Sequence, residues 1–286
     1  MVGGSARVLV IGTPIGNLGD LSPRAAEALA SCDVIACEDT RRTGRLLQMS
    51  GIAAPKLIRL DQHTESGLAQ RLIRSAVEDL LVVGLVSDAG MPGLSDPGSI
   101  VISAALAAGV RVEVIPGPFA GVVGLIGSGL LGTDSRFIFE GFLSRRSSER
   151  RRRLSELRDE TRTMVLYESP QRLGSMLGDA SEILGHDRRA VVARELTKLH
   201  EEFRRATLSD LVVEYATVAP KGECVVIIDG APVAEPPSDD DLMAAHRRRV
   251  DSGMTSRDSV AAVADEFGVN ANAVKRLVFG KGTGSA

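Results

Sequence analysis

The sequence contains no tryptophan, and its aromatic residues make up only 3% of the chain. So little ring surface disfavours a protein that grips a long single strand by stacking base after base. There are three cysteines, Cys32, Cys37 and Cys224. An odd and sparse set is no disulfide framework and fits a reducing compartment. Cys32 and Cys37 have no histidine nearby and no second cysteine pair, so small buried residues are expected there and no metal site. No apolar run reaches the roughly 18 residues that a membrane span needs. The opening residues, Met1 to Arg7, lack an apolar signal core, and a cytoplasmic location is expected. A cationic excess is missing too. The formal net charge is −3, so any nucleic-acid surface has to be a local patch.

What the chain does have is length and apolar content. At 286 residues and 44% hydrophobic it can bury two domain cores, with room for a small third. The first 117 residues alternate short apolar runs with amphipathic stretches. Strands are predicted at 7–11, 33–37, 56–60, 81–86 and 111–115, with helices between them. That rhythm favours a mainly parallel sheet covered on both faces. After Pro116-Gly-Pro118 the pattern changes. A helix of small residues at 119–129 leads into strands at 136–139, 163–167, 189–194, 201–207 and 222–228, with a basic helix near 147–160. The second domain, 118–232, is therefore expected to be α/β with more antiparallel pairing. Residues 233–240 read as a proline-rich linker. Residues 241–286 read as a small helical extension in which 256–267 and 271–279 carry helical spacing around Gly268. That pair admits a helix-turn-helix as well as a plain helical appendage.

The first strand breaks into Gly12-Thr-Pro-Ile-Gly16. A glycine loop in that place usually cradles a phosphate. Here Pro14 occupies the second glycine's position and has no N–H to offer. No Gly-Lys-Ser/Thr follows. Two similar loops, Ser87-Asp-Ala-Gly-Met-Pro-Gly93 and Pro116-Gly-Pro-Phe-Ala-Gly121, also follow apolar strands. Loops at the carboxyl ends of such strands converge on a ligand crevice. None of the three carries a basic residue, and Asp88 is their one acid. The expected ligand is not a polyphosphate but a molecule bearing an amine, a ribose or a ring.

Charged clusters lie elsewhere. Cys37-Glu-Asp-Thr-Arg-Arg-Thr43 opens a helix that Asp39 or Thr40 can cap. Alternatively, Arg41 and Arg42 sit at the cleft rim on RNA phosphates, with Glu38 or Asp39 orienting the nucleotide. Arg145-Arg-Ser-Ser-Glu-Arg-Arg-Arg-Arg153 holds six arginines in nine residues. Such a run is usually a solvated helix face, yet in an acidic protein it invites an anionic partner, RNA above all. His246-Arg-Arg-Arg249 can extend that patch. Glu168, Arg172 and Lys198 fall in charged loops of the second domain, as surface ion pairs or substrate-side groups.

Taken together, "GTPIGNLGDLSPRA", "CEDTRRT", "SDAGMPGLSDPG", "IPGPFA", "YESPQR" and "ARELTKLHEE" resemble the ribosomal RNA small-subunit methyltransferase I family. That family is a branch of the tetrapyrrole methylase superfamily. The likeness covers about residues 7–230 and is looser beyond. It implies a two-domain tetrapyrrole-methylase-like α/β fold with the cofactor cleft between the domains. It implies S-adenosylmethionine as donor, 2′-O-methylation of a cytidine in the decoding region of 16S rRNA, and a homodimer; the RNA is expected within the 30S subunit, with free rRNA left open as substrate. It places Pro14, Ser87, Asp88, Ala89, Met91, Phe119, Ala120, Leu166, Tyr167 and Gly222 around the cofactor. Arg41, Arg42, Arg145, Arg146, Arg150, Arg151, Arg152, Arg153, Glu168 and Arg172 become candidates for RNA contact. Lys198, Glu38 and Asp39 are the candidate proton acceptors, alongside water, and no metal is required. Many superfamily members read Gly-Asp-Pro where this chain has Ser87-Asp-Ala, which points to the rRNA branch. The rival functions are a tetrapyrrole methylase of the same fold and a non-catalytic RNA-binding protein.

Overall fold

The computed structural model describes residues 6–61, 64–217, 219–232 and 237–280. They fall into two compact units, Met1–Ala231 and Pro232–Ala286. The first unit holds two five-stranded sheets.

Sheet one uses β1 (Arg7–Ile11), β2 (Val34–Cys37), β3 (Lys56–Arg59), β4 (Val82–Val86) and β5 (Arg111–Ile115) in the order β3-β2-β4-β1-β5. Every pairing in it is parallel. Parallel strands need crossover helices, which bury both sheet faces. The central strands read as unbroken apolar runs for that reason; Val8 and Ile11 are fully buried. Helices α1 (Pro23–Ala30) and α2 (Thr40–Met49) cover one face, and α3 (Glu65–Glu78) and α4 (Ser99–Ala107) the other. Ser22 caps α1 by accepting the Ala25 N–H at 3.1 Å, with Pro23 in the first turn, where its missing N–H costs nothing. Buried Glu65 of α3 performs the same service for α4. Its Oε1 accepts the N–H groups of Gly98, Ile100 and Val101 at 2.9, 2.8 and 3.3 Å. This carboxylate anchors the end of the 87–98 loop to α3.

Sheet two uses β6 (Phe137–Phe142), β7 (Thr163–Glu168), β8 (Arg189–Arg194), β9 (Glu202–Thr207) and β10 (Cys224–Ile228) in the order β6-β7-β10-β8-β9. Only β6 and β7 pair in parallel; the other pairings are antiparallel. Helix α5 (Ala120–Ser128) packs on β7, β8 and β10. It comes close because Gly124 has no side chain: a Cβ there would lie 3.2 Å from Val225. Helices α6 (Ser147–Glu156), α7 (Pro170–Leu184) and α8 (Leu208–Glu214) bury the opposite face around Leu154, Leu173 and Leu211. The basic helix is shorter than the sequence predicts, closing at Glu156 before a turn.

The second unit holds α9 (Asp239–Asp251), α10 (Ser256–Phe267) and α11 (Ala271–Phe279) around Leu242, Ala245, Val263 and Val274. The expected linker 233–240 is cut short, because Ser238 and Asp241 form a reciprocal capping box that starts α9 at Asp239. Residues 233–236 lie outside the described residues. Gly268, at φ +61°, ends α10 in the left-handed conformation that favours glycine.

Candidate active site

The glycine loop after β1 holds other loops. Gly12 meets Gly117 backbone to backbone; a Cβ on Gly12 would lie 2.5 Å from the Gly117 Cα and 2.8 Å from the Met91 sulfur. One residue on, Thr13 and Gly90 exchange two backbone hydrogen bonds of 2.9 and 3.0 Å. The three loops thus lock together by main chain, which explains their shared richness in glycine and proline.

Their outer side and sheet two enclose a cavity of about 310 Å³. Ile15, Ala89, Met91 and Leu94 line it from the loops of sheet one. Phe119 and Ala120 line it where the third loop enters α5, and Phe142, Tyr167, Leu196 and Val225 line it from the side of sheet two. Its charged lining residues are Asp96, Glu168 and Glu223, with no cationic side chain among them. Phe119, Phe139 and Tyr167 pack edge to face, with ring centroids 5.0 Å apart for Phe119–Phe139 and 5.1 Å for Phe139–Tyr167. The Tyr167 hydroxyl accepts the Gly121 N–H at 3.1 Å, fixing the start of α5. Burial, more than its charged neighbours, raises that phenol to about 12.

Of the residues expected at the cofactor, Ala89, Met91, Phe119, Ala120 and Tyr167 line the cavity. The other five do not. Leu166 points to the opposite face of β7 and is buried among α6, α7 and α8, as strand alternation requires when Tyr167 faces the cavity. Pro14 yields its place to Ile15. Ser87 is buried, and its hydroxyl donates to the Ala89 carbonyl at 3.2 Å. Asp88 turns toward α2, accepting the Asp39 N–H at 3.0 Å and pairing with Arg42 at 3.3 Å. Gly222, at φ +91°, stands beside the lining; a Cβ there would strike the Glu195 carboxylate.

The candidate proton acceptors are differently placed. Asp39 caps α2 by accepting the Arg41 N–H at 2.8 Å, and Arg41 also forks onto its carboxylate at 3.1 and 2.8 Å. Those bonds hold the Asp39 carboxyl well below the usual carboxylate range. Burial, then the charge of Asp88, pushes Glu38 up. Lys198 is bridged by Glu195 and Glu223, each at 2.9 Å. Burial works to lower its pKa, but the two carboxylates outweigh it and keep the ammonium above its ordinary value. A lysine held protonated in this way has no lone pair to take a proton.

The arginine run is largely spoken for. Arg150 is buried, with its guanidinium on Asp179 at 2.6 Å, and so cannot be part of a surface patch. Arg151 joins it on Asp179 and reaches Glu182. Arg153 forks onto Glu140 at 2.7 and 2.8 Å and also holds Glu156. Arg146 pairs with Glu149 at 2.9 Å. That leaves Arg145, exposed and without an ion pair among the described residues, and Arg152, 3.9 Å from Glu156. Glu168 and Arg172 pair with each other at 3.3 Å, and Arg172 donates to the carbonyls of Leu143 and Ser144. In the second unit His246 is buried against Ser256, and Arg249 pairs with Glu266.

Sequence reasoning passed over Asp96, Phe142 and Glu223. Asp96 stands in the same "SDAGMPGLSDPG" block, and the Asp-Pro-Gly turn there was a usable signal. Burial, then the charges of Glu38 and Asp88, raise its carboxyl to about 6, partly offset by the nearby Ser87 hydroxyl.

A family profile described as Tetrapyrrole (Corrin/Porphyrin) Methylases matches residues 7–212. The ribosomal RNA small subunit methyltransferase I of Synechocystis sp. is 43% identical over 259 residues, covering 90% of this chain and 91% of that protein. The protein of that name from Thermotoga maritima is 41% identical over 224 residues, covering 78% and 98%. A uroporphyrin-III C-methyltransferase from Thermus thermophilus, solved with S-adenosylhomocysteine, superposes with a TM-score of 0.55 at 18% identity, covering 78% of this chain and 97% of that one. At that identity the likeness concerns the fold. The chain belongs to the tetrapyrrole methylase family, a class of methyltransferases with this two-sheet architecture. Within that class it is a member of the ribosomal RNA small subunit methyltransferase I family.

Proposed function

We propose that this chain methylates the ribose 2′-hydroxyl of a cytidine in the decoding region of 16S rRNA, with S-adenosylmethionine as donor. The observation that carries the reading is the cavity itself: largely apolar walls and no cationic side chain in the lining. Such a lining offers a phosphate no partner and suits a ligand with a large apolar surface and few polar groups. The buried Glu168 Oε2 lies 3.3 Å from the Arg172 guanidinium, so this carboxylate is neutralised by its ion pair, yet it receives no hydrogen bond and can still accept one from a ligand donor. When bound, S-adenosylmethionine supplies a methyl group already activated for transfer.

The chain's own residues orient and exclude water. Ile15, Ala89, Met91, Phe119, Ala120 and Tyr167 form the seat, and the backbone lock of the three loops keeps it rigid. Of the arginines expected at the RNA, Arg145 and Arg152 are the least engaged, and Arg41 and Arg42, exposed though paired with Asp39 and Asp88, can meet RNA at the surface. The enzyme works in the cytoplasm as a homodimer on the 30S particle. No described helix is long and apolar enough to cross a membrane.

The test is methyl transfer from labelled S-adenosylmethionine to 30S subunits and to deproteinised 16S rRNA, each isolated from cells lacking this protein. Mass mapping should place the label on one decoding-region cytidine ribose, and 2′-deoxycytidine at that position should abolish it. Label on a base, or transfer to the deoxy substrate, would overturn the ribose assignment. Label on a tetrapyrrole alone would overturn the substrate class.

A further inference from the structure

Two left-handed residues meet at the rim of the cavity. Ser95 has φ +65° and Gly141 has φ +60°. A Cβ on Gly141 would lie 2.9 Å from the Ser95 hydroxyl, so the 87–98 loop and β6 touch here, and the left-handed backbone at Gly141 favours glycine. The β6–β7 register shifts between Phe139 and Gly141, which makes Glu140 the bulge residue. Arg153 grips the Glu140 carboxylate with two hydrogen bonds and fixes the bulge. A bulge re-aims the side chains that follow it. The next residue on each side, Asp96 and Phe142, borders the cavity. Phe142 is 56% exposed although large and apolar, and its ring is tilted 5.5 Å from Tyr167. The chain has nine aromatic residues, seven Phe and two Tyr, and four of them cluster at this wall.

We infer that the Asp96–Phe142 rim receives the target nucleoside, with Phe142 as the platform for its unstacked base and the Asp96 carboxylate as acceptor of the ribose hydroxyl. This rests on the methyl-transfer reading above. The hydroxyl oxygen forms the new C–O bond as the S–C bond breaks and its electron pair stays on sulfur. The hydroxyl proton passes to Asp96 and from there to water. One exposed ring suits one unstacked base, in keeping with the chain's few aromatics. The groups facing Asp96 suit a proton acceptor. Glu38 at the end of β2 and Asp88 after β4 are like charges, and Arg42 of α2 is held on Asp88. Tyr167 and Glu168 of β7 and Glu223 before β10 border the same cavity, and the phenol stays neutral. Partial burial, then the like charges, raise Asp96 to about 6, a basicity useful near neutral pH.

The experiment compares wild type, D96N, D96A, F142A and F142Y, each first checked for a cooperative thermal transition. D96N should lower the single-turnover rate by roughly 100-fold or more, while calorimetry gives an S-adenosylmethionine Kd within threefold of wild type. The wild-type rate should fall below about pH 6. That acid limb should vanish in D96N, and formate should restore part of the D96A rate. Without cofactor, wild type should prefer a decoding-region RNA with a target ribose over its 2′-deoxy form by roughly tenfold, and D96N should lose the preference. F142A should weaken RNA binding by roughly tenfold, in line with the loss of one stacked base, and F142Y should restore it. A D96N enzyme with wild-type rate and pH profile overturns the proposal. So does loss of cofactor binding in D96N and F142A, which would make the rim part of the cofactor seat. If wild-type protein methylates neither 30S subunits nor 16S rRNA, the methyl-transfer reading itself fails, a result distinct from both.

Discussion

Helix α6 and the cavity rim handle charge in opposite ways. The helix is the most cationic stretch of the chain, yet Arg150, Arg151 and Arg153 are each fastened to carboxylates from elsewhere in sheet two or α7. The rim is nearly devoid of charge in sequence, yet Asp96 sits beside two like charges and is left to titrate. Density of charge along the sequence therefore says little about its availability. A paired arginine is spent on holding helices together. A lone carboxylate crowded by others is costly to keep ionised, and that cost is a common mark of a working group.

The sharpest way to break this comparison is to cut the buried pair. Arg150 and Asp179 have side chains only 8% and 12% exposed. R150A removes one of the two guanidinium groups on the largely buried Asp179 carboxylate and leaves only the half-exposed Arg151 to balance it. A loss of roughly 3–5 kcal/mol is expected in urea unfolding, with cofactor affinity unchanged. R150M together with D179L should recover much of it, since an apolar pair of similar size can replace a buried ion pair. A stable R150A protein with weakened RNA binding would return the whole run to the RNA.

The next largest effect concerns the loops. G12A forces a methyl group against the Gly117 backbone, 2.5 Å away, where no flexible side chain can yield. Overpacking of this kind costs roughly 1–3 kcal/mol. Because the displaced loops also carry Ala89 and Met91, S-adenosylmethionine affinity should fall along with the melting temperature. G51A, where no atom lies within 4 Å, serves as control: it meets only the strain of φ +68° and should spare the cofactor. Equal cofactor affinity in G12A and wild type would show that the lock does not shape the seat.

Much of this was legible in the sequence, for a physical reason. Strands and helices announce themselves through local periodicity, so the β/α alternation up to Ile115 and the antiparallel turn afterwards could be read directly. Tyr167, which the family resemblance placed at the cofactor, does border the cavity, and its neighbour Leu166 could have been set aside by strand alternation alone. Partners distant along the chain could not be read. Asp88 looks like a ligand-binding acid until Asp39, 49 residues earlier, offers its N–H. The arginine run looks free until Asp179, Glu182 and Glu140 fold onto it. Phe142 gave no signal because a bulge decides where it points, and the bulge depends on Ser95 and Arg153.

A smaller effect tests the rim from the side of stability. The Asp96 carboxyl rises from 3.8 to about 6 on folding. The folded state therefore binds its proton more tightly than the unfolded state does. Stability from this group is present at low pH and is lost as pH rises from about 4 through 6. Asparagine does not titrate, so D96N should match wild type near pH 4 and exceed it at pH 7. The gain should be on the order of 1–2 kcal/mol once screening of a half-buried carboxylate is allowed for. Denaturant curves across that pH range read it directly. A gain that is flat with pH would mean that Asp96 is relieved by a neighbour and carries no such strain.

The smallest effect decides what the unspent part of α6 does. Arg145 is exposed without an ion pair among the described residues, and Arg152 is 78% exposed and only loosely paired with Glu156 at 3.9 Å. Removing either should leave the melting temperature within experimental error, because an exposed pair of this kind contributes little. If these two arginines meet rRNA phosphates, each contact releases counterions on binding. The slope of log affinity against log salt should then fall by roughly 0.7–0.9 for each one removed. R146A is the internal control, since Glu149 already neutralises that guanidinium at 2.9 Å. Its slope should change least of the three. An unchanged slope in the R145A/R152A double variant would leave α6 as a structural helix throughout, its paired arginines holding α7 and the β6 bulge and its free ones simply solvated. The next cations to test would be Arg41 and Arg42 at the start of α2, exposed though paired with Asp39 and Asp88, by the same salt titration on R41A and R42A.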